Sequence, residues 1–236
     1  MKTLSKALVA GGLLLACGVA AADVSYNAAV TTDYRFRGIS QSAKDPAIQG
    51  GVDFSDKSGV YLGIWGSTID FGSGPPDPKA DLEVDLYGGY KFKGGGIDWD
   101  AGLIHYAYPG SESSAKLPFT EVYIGGSYGP VTVKYYYTND YTGGTTESAS
   151  YLVASGGVDL GSGYTLNLSV GQSSGQGIKQ SFTGKNYTDY KVGVSKEFGG
   201  FGFDLSYVDT SGISPNFTTD VFNSEGTVVL TVSKSF

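Results

Sequence analysis

The sequence predicts an all-β protein, a transmembrane antiparallel β-barrel of about 12 strands that follows a cleaved signal peptide. Apolar and polar residues alternate along twelve segments, and short and long joins alternate between them. The last segment carries its apolar face to the final residue, Phe236. A period of two is typical of a strand with one apolar face, and a barrel leaves no strand edge in lipid because its last strand pairs with its first.

Residues 1–22 have the features of a secretory signal peptide. A short basic start precedes an apolar stretch, and three alanines at 20–22 form an A-x-A cleavage site. The stretch is too short for a spanning helix. The sequence around Cys17 leaves lipidation of that cysteine as an alternative. We therefore predict a signal peptide at 1–22 and a barrel domain at 23–236.

Charge and composition exclude several classes of function. Removing 1–22 takes away two of the 16 basic residues and none of the 23 acidic ones, so the net charge changes from −7 to −9. This acidity argues against a nucleic-acid partner. The only cysteine lies in the signal peptide, and the chain has one histidine. Disulfides, thiol chemistry and a His/Cys metal cluster are therefore not expected, and no cofactor is predicted.

Twelve segments qualify as strands, most of them close to the 9–11 residues that a tilted strand needs to cross a bilayer. They are 24–39, 47–55, 60–69, 82–92, 97–108, 119–128, 131–139, 150–160, 164–173, 187–198, 201–210 and 226–236. Five tight joins alternate with six longer polar loops, 40–46, 70–81, 109–118, 140–149, 174–186 and 211–225. In outer-membrane barrels the short turns are periplasmic and the long loops extracellular. Both ends of the barrel domain should therefore lie on the periplasmic side.

The two faces of the predicted strands differ in polarity. In the segment 82–92, Leu82, Val84 and Leu86 alternate with Glu83 and Asp85. Lipid can contact the first set, whereas only a hydrated or ion-paired interior suits the second. The same parity places further charged residues inward, and we predict these pore-lining residues: Arg35, Arg37, Asp81, Glu83, Asp85, Glu121, Lys134, Asp189 and Lys191.

Acidic residues predominate among the inward positions. Ten acids oppose five bases, because Asp33, Asp53, Asp98, Asp100, Asp204 and Lys91 join the pore-lining set. Five acids should therefore lack a basic partner, and water or mobile cations should reach them. The alternative is a plugged barrel in which the charges form ion pairs along the wall.

Several stretches resemble a known family. They are 31–42 (TTDYRFRGISQS), 45–53 (DPAIQGGVD), 63–67 (GIWGS), 82–90 (LEVDLYGGY), 108–110 (YPG) and 120–123 (TEVY). Together they resemble the TorF family of Gram-negative bacteria, whose members carry a provisional label of porin. The resemblance is densest over 31–129. It implies an outer-membrane barrel and names no substrate.

We therefore expect a multi-pass β-barrel of the bacterial outer membrane that is a porin-like channel for passive diffusion of small polar solutes, biased to cations. Its expected partners are outer-membrane lipid, the barrel assembly machinery, which would read Phe236 as a C-terminal assembly signal, and the solutes themselves. One alternative is a closed structural or adhesion barrel that binds a partner through its extracellular loops. Another is a lipid-acting enzyme, but His105 faces outward with no serine on the adjacent outward positions to act as nucleophile. We therefore predict no enzymatic activity.

Overall fold

The structure is a computed structural model, and it describes residues 23–72, 79–112, 115–143, 146–181, 184–213 and 222–236. The predicted signal peptide and Cys17 lie outside these residues. The described residues form fourteen strands: β1 (Asp23–Thr31), β2 (Arg35–Phe36), β3 (Ile39–Ser40), β4 (Ala47–Ser55), β5 (Val60–Thr68), β6 (Leu82–Gly94), β7 (Ile97–Ala107), β8 (Phe119–Tyr128), β9 (Val131–Thr138), β10 (Ala149–Gly161), β11 (Tyr164–Ser174), β12 (Tyr187–Phe198), β13 (Phe201–Ser211) and β14 (Thr227–Ser235). A short helix, α1 (Gln176–Ser181), and a 3₁₀ turn, Tyr141–Gly143, lie in loops.

All strands except β2 and β3 form one closed antiparallel barrel of twelve strands. Neighbours along the chain pair with each other, and β1 also pairs with β14 to close the cylinder, with Val30 opposite Val232. The last residue continues this pairing, because Phe236 N donates to Tyr26 O at 2.9 Å and Tyr26 N donates to Phe236 O at 3.3 Å. The predicted fold class and strand number are confirmed.

The first predicted strand is too long. The segment 24–39 was expected to be one strand, but β1 ends at Thr31 and the chain then leaves the wall. Arg37 and Gly38 have positive φ angles of 49° and 83° and form the turn of the small β2–β3 hairpin. Residues 32–46, called the lumen segment below, therefore fold into the barrel before β4 begins.

The outer surface of the barrel is apolar and the inner surface polar, as the alternation predicts. Large apolar side chains such as Leu62, Leu205 and Val228 are more than half exposed on the outside. Lipid covers such a surface in an outer-membrane barrel. Lys234 also points outward, and its ammonium lies 5.0 Å from the Phe201 ring centroid and 5.1 Å from that of Phe236. A lysine can therefore occupy this interfacial position, with its charged end at the headgroups.

An apolar core lies inside the loop end of the barrel. It is built from the lumen segment, the wall and the inward-folded loops, and consists of Ile39, Tyr106, Phe119, Tyr141, Ala149, Ile178 and Tyr187. Tyr141 comes from the 3₁₀ turn and Ile178 from α1, and the rings of Tyr106 and Phe119 stack at 4.5 Å. This core fixes the loops against the wall and closes much of the extracellular end. No helix among the described residues combines the length and apolar character needed to cross a membrane.

Candidate functional site

The lumen segment contacts several parts of the barrel wall from the inside. Tyr34 contacts β5 and β6, Arg37 reaches β8, and Gly38 lies against β12 and β13. At Gly38 a Cβ atom would approach Asp189 Cβ to 2.9 Å, in addition to the strain of a positive φ. Only glycine fits this close approach of backbone to wall. The segment therefore spans the lumen near its extracellular end.

Arg37 is the charged anchor of the lumen segment. Its Nη2 donates to Glu121 Oε2 at 2.5 Å, and the two side chains are 5 % and 0 % exposed. The guanidinium also lies over the Tyr151 and Phe36 rings, at 4.2 Å and 4.7 Å from their centroids. Burial alone would lower the pKa of Arg37, but the Glu121 carboxylate more than offsets this and raises it well above its usual value. The arginine therefore stays charged.

Tyr34 forms a second anchor on the opposite side of the hairpin. Its hydroxyl donates to Glu83 Oε1 at 2.6 Å, and its ring meets that of Trp65 edge-on at 5.5 Å. Burial, followed by the charges of Glu83 and Asp85, raises the pKa of the Tyr34 phenol well above its usual value. The phenol therefore remains a neutral hydrogen-bond donor.

Arg35 holds the base of the hairpin. Its Nε donates to Asp33 Oδ2 at 2.6 Å, and Nη1 donates to the carbonyl of Asn223 at 2.8 Å. Ser40 completes this group, because its hydroxyl donates to Asp33 Oδ1 at 2.7 Å and its backbone N–H donates to the Asn223 carbonyl at 2.9 Å. These bonds tie the lumen segment to the β13–β14 loop.

Tyrosines cover part of the inner wall of the barrel below the segment. Tyr87, Tyr61 and Tyr123 each lie against an inward glycine of the neighbouring strand. The register pairs Gly63 with Tyr87, Gly89 with Tyr61 and Gly102 with Tyr123. A glycine leaves room for the partner ring to lie flat along the wall.

The tyrosine hydroxyls of this wall donate to carboxylates. Tyr61 donates to Asp100 at 2.6 Å and also contacts the Tyr123 hydroxyl, while Tyr87 donates to Asp53. These aromatic residues were not predicted as site residues. The pairing of an inward glycine with a tyrosine on the adjacent strand was the sequence signal for them.

Ion pairs neutralise some of the inward acids. Besides the pairs made by Arg35 and Arg37, Lys134 contacts Asp100 at 2.7 Å and Lys191 contacts Asp204 at 3.1 Å. A further set of inward carboxylates has no ion pair with a base among the described residues: Asp53, Glu83, Asp85 and Asp189. The predicted excess of acids is therefore present in the lumen.

These acids are less exposed than a water-filled lumen would leave them. Glu83, Asp85, Asp189 and Asp53 are only 2–8 % exposed. Neutral donors take the place of water for three of them, since Tyr34, Tyr151 and Tyr87 donate to Glu83, Asp189 and Asp53. The lumen segment and the loop core occupy the loop end of the lumen, and the tyrosines cover the wall below them.

The predicted pore-lining residues fall into three groups. Six of them face the lumen from barrel strands: Glu83, Asp85, Glu121, Lys134, Asp189 and Lys191. Arg35 and Arg37 lie in the lumen too, but on the lumen segment and not on a wall strand as expected. Asp81 is exposed at the mouth just before β6. The role of these residues in a pore remains a prediction.

His105 lies on the outward face of β7, as its position in the alternating pattern predicts. It pairs with Leu86 and Thr120 on the neighbouring strands, and its Nδ1 lies 2.9 Å from Thr120 Oγ1. Neither paired residue is a serine, the nucleophile that the lipid-acting alternative was expected to need. Among the described residues, no group of three or more His, Cys, Asp or Glu side chains is arranged to hold a metal ion.

The chain belongs to a bacterial protein family of unknown function (Gcw_chp), whose profile matches residues 16–236. That description gives no activity, so the resemblance to the TorF family stays a prediction. The chain has no match among curated proteins.

Among solved structures, the chain is similar to the KdgM porin in complex with disordered oligogalacturonate, with a TM-score of 0.54 and 10 % identity over 90 % of this chain and 98 % of that one. It is also similar to an outer-membrane channel of Pseudomonas putida F1, with a TM-score of 0.48 and 10 % identity over 94 % and 97 % of the two chains. At such identity the KdgM likeness shows a shared fold. A closed barrel with an apolar outer face is a multi-pass protein of the bacterial outer membrane, as predicted.

Proposed function

We propose that this member of a family of unknown function is an outer-membrane channel for passive diffusion of small polar solutes, with a preference for cations. The observation that carries this proposal is the chemistry of the lumen. Charged and hydroxyl side chains line it, and Asp53, Glu83, Asp85 and Asp189 have no basic partner among the described residues. Charged groups inside a membrane protein are costly and generally mark a pathway for ions or solutes.

The lumen segment is the constriction of the proposed channel. It is held by side-chain anchors, by bonds to the β13–β14 loop and by the packing of Ile39 in the loop core, and not by pairing with the barrel sheet. A small displacement of the hairpin would open a path along the tyrosine wall. Solutes would cross by diffusion past charged groups, with no covalent step.

The cation preference follows from the charges left inside. The two arginines of the lumen segment are already paired, Arg35 with Asp33 and Arg37 with Glu121. The unpaired carboxylates then dominate the field, which the low-dielectric wall strengthens. Outer-membrane lipid and the barrel assembly machinery are the further partners that this function requires.

A closed structural or adhesion barrel is the second candidate, because the lumen segment and the loop core occupy the loop end of the lumen. Glu121, Ser173 and Ser206 are at most 2 % exposed, which suits a wall that is never hydrated. In that case the extracellular loops would carry the function by binding a partner.

Solute flux into vesicles separates these candidates. The refolded barrel should let vesicles swell in small polar solutes, faster for cations than for anions of the same size. Replacing Glu83, Asp85 and Glu121 together by amides should reduce the preference, and Lys44→Gln, at an exposed position of the lumen segment, should not. A preference for anions would mean that Arg35 and Arg37 control the constriction. Absence of flux through a barrel verified as folded would refute the channel and favour the closed barrel.

A further inference from the structure

Asp85 has an environment unlike that of the other lumen acids. It projects inward from β6 and is 7 % exposed, and its Oδ1 is buried without a hydrogen-bond partner among the described residues. Neither an ion pair nor a side-chain donor to its carboxylate is present in the described part of the chain. A buried carboxylate in this state is unstable unless a cation or a proton neutralises it.

The groups around Asp85 supply acids and phenols. Glu83 and Glu121 lie within electrostatic range, and so do the hydroxyls of Tyr34, Tyr106 and Tyr108. Glu121 is already paired with Arg37 Nη2. Glu83 and Asp85 therefore carry the uncompensated charge, which is negative by two if both are ionised.

We infer that Asp85 is the principal cation-binding group of the lumen, and that it takes a monovalent positive charge, either an alkali ion or the ammonium group of a small solute. This inference deepens the proposed channel function and rests on it for the route by which the cation arrives. One carboxylate with phenol oxygens around it suits a monovalent cation. Ca²⁺ takes 6–8 oxygen ligands, often several carboxylates, and Mg²⁺ demands near-ideal octahedral geometry.

Asp85 differs from the other lumen acids in the partners of its carboxylate. Glu121 is more deeply buried, but its charge is compensated by Arg37. Asp189 also has one buried oxygen without a described partner, but its other oxygen accepts from the Tyr151 hydroxyl at 3.0 Å. Asp100 accepts from both Lys134 at 2.7 Å and Tyr61 at 2.6 Å, so it needs no further cation. The alternating pattern places all of these acids on the inward face and does not distinguish them. Their contacts do, because Asp85 is the one without a compensating donor or base among the described residues, and we therefore assign cation binding to it.

Thermal unfolding of the folded barrel tests the site without any requirement for conduction. Wild-type protein is titrated with Na⁺, K⁺ or methylammonium chloride, and N-methyl-D-glucamine chloride keeps the ionic strength constant. A cation that binds only the folded state should raise the unfolding midpoint by about 2–4 °C once its concentration is several times the dissociation constant. The inorganic ions and methylammonium distinguish an alkali site from an ammonium site.

Asp85→Asn is the test variant and Asp100→Asn its matched control, both isosteric and both verified by heat-modifiable migration. The cation-dependent rise should be lost in Asp85→Asn and kept in Asp100→Asn. In bilayers, Asp85→Asn should lower the cation-to-anion permeability ratio several-fold, with a smaller effect in Asp100→Asn.

Several outcomes would overturn the inference. A rise that persists in Asp85→Asn places the cation elsewhere. If none of the cations raises the unfolding midpoint of the wild-type protein, a proton neutralises Asp85. This titration needs no variant. If the cation-dependent rise in the unfolding midpoint is lost in Asp85→Asn but no current or flux is observed, the cation site is supported and the channel function is refuted.

Discussion

The ion pair of Arg37 and Glu121 should be essential for holding the lumen segment in place. Replacing Arg37 by glutamine leaves the Glu121 carboxylate, which is 0 % exposed, without its cation. Breaking a buried pair from one side costs about 3–5 kcal/mol, because the remaining charge stays buried. The stacking of the guanidinium on Tyr151 at 4.2 Å is lost as well. We therefore expect Arg37→Gln to lower the free energy of unfolding by at least about 3 kcal/mol.

The double variant Arg37→Gln/Glu121→Gln provides the internal control. It removes both charges, so no uncompensated carboxylate remains, and replacing both partners of a buried pair is often nearly neutral. Its cost should be clearly smaller than the sum of the two single costs. Lys44→Gln, at an exposed position of the same segment, should change stability by less than about 0.5 kcal/mol.

Urea titration of the barrel in lipid vesicles measures these costs by tryptophan fluorescence. Trp65 lies in the lumen against Tyr34, whereas Trp99 stacks on Phe92 at the periplasmic end of the outer surface. A Trp99→Phe background therefore reports the lumen segment through Trp65. A cost below about 1 kcal/mol for Arg37→Gln, or strict additivity in the double variant, would refute the reasoning.

Three further predictions concern closure, the lipid face and pH. Deleting Phe236 should lower the heat-modifiable folded fraction, because it removes two backbone hydrogen bonds to Tyr26, while Phe236→Ala keeps both and should lower it less; equal losses would contradict this. Leu205→Arg should cost about 2–4 kcal/mol in vesicles because Leu205 lies midway along β13 on the lipid face, and Leu205→Ala should cost clearly less. Burial raises the pKa of Tyr141 in the 3₁₀ turn to about 12, so the unfolded phenol, with a pKa near 10, ionises first and stability falls between about pH 10 and 12. Tyr141→Phe should weaken this fall in urea titrations across that range, and an unchanged slope would count against it.

The strands could be predicted because lipid on one side and a polar lumen on the other impose a strict period of two. This pattern placed Glu83, Asp85 and Glu121 on the inward face correctly. It failed at the first strand because Arg35 and Arg37 continue the same alternation with Tyr34 and Phe36. The turn at Arg37 and Gly38 and the contacts across the lumen decided the local structure there, as tertiary contacts often override local pattern.

The partners of the lumen charges could not be predicted from parity. The period of a strand gives the face of each side chain, but not which charge across the barrel it meets. Arg37 and Glu121 are 84 residues apart, and only the inward fold of the lumen segment brings them together. The same limit applies to Asp85, because the absence of a partner for its Oδ1 among the described residues is a property of the assembled lumen.

The central claim, that this barrel conducts when the lumen segment moves, is tested most directly by single-channel current in planar bilayers. Wild-type barrel should show small, cation-selective steps, and the Arg37→Gln/Glu121→Gln barrel should show larger or longer openings because the anchor of the lumen segment is gone. Raising the salt to 1 M should weaken the cation selectivity, since the screening length falls to roughly 3 Å. Silence of both proteins, each verified as folded in the same membrane, would contradict the claim and identify a closed barrel.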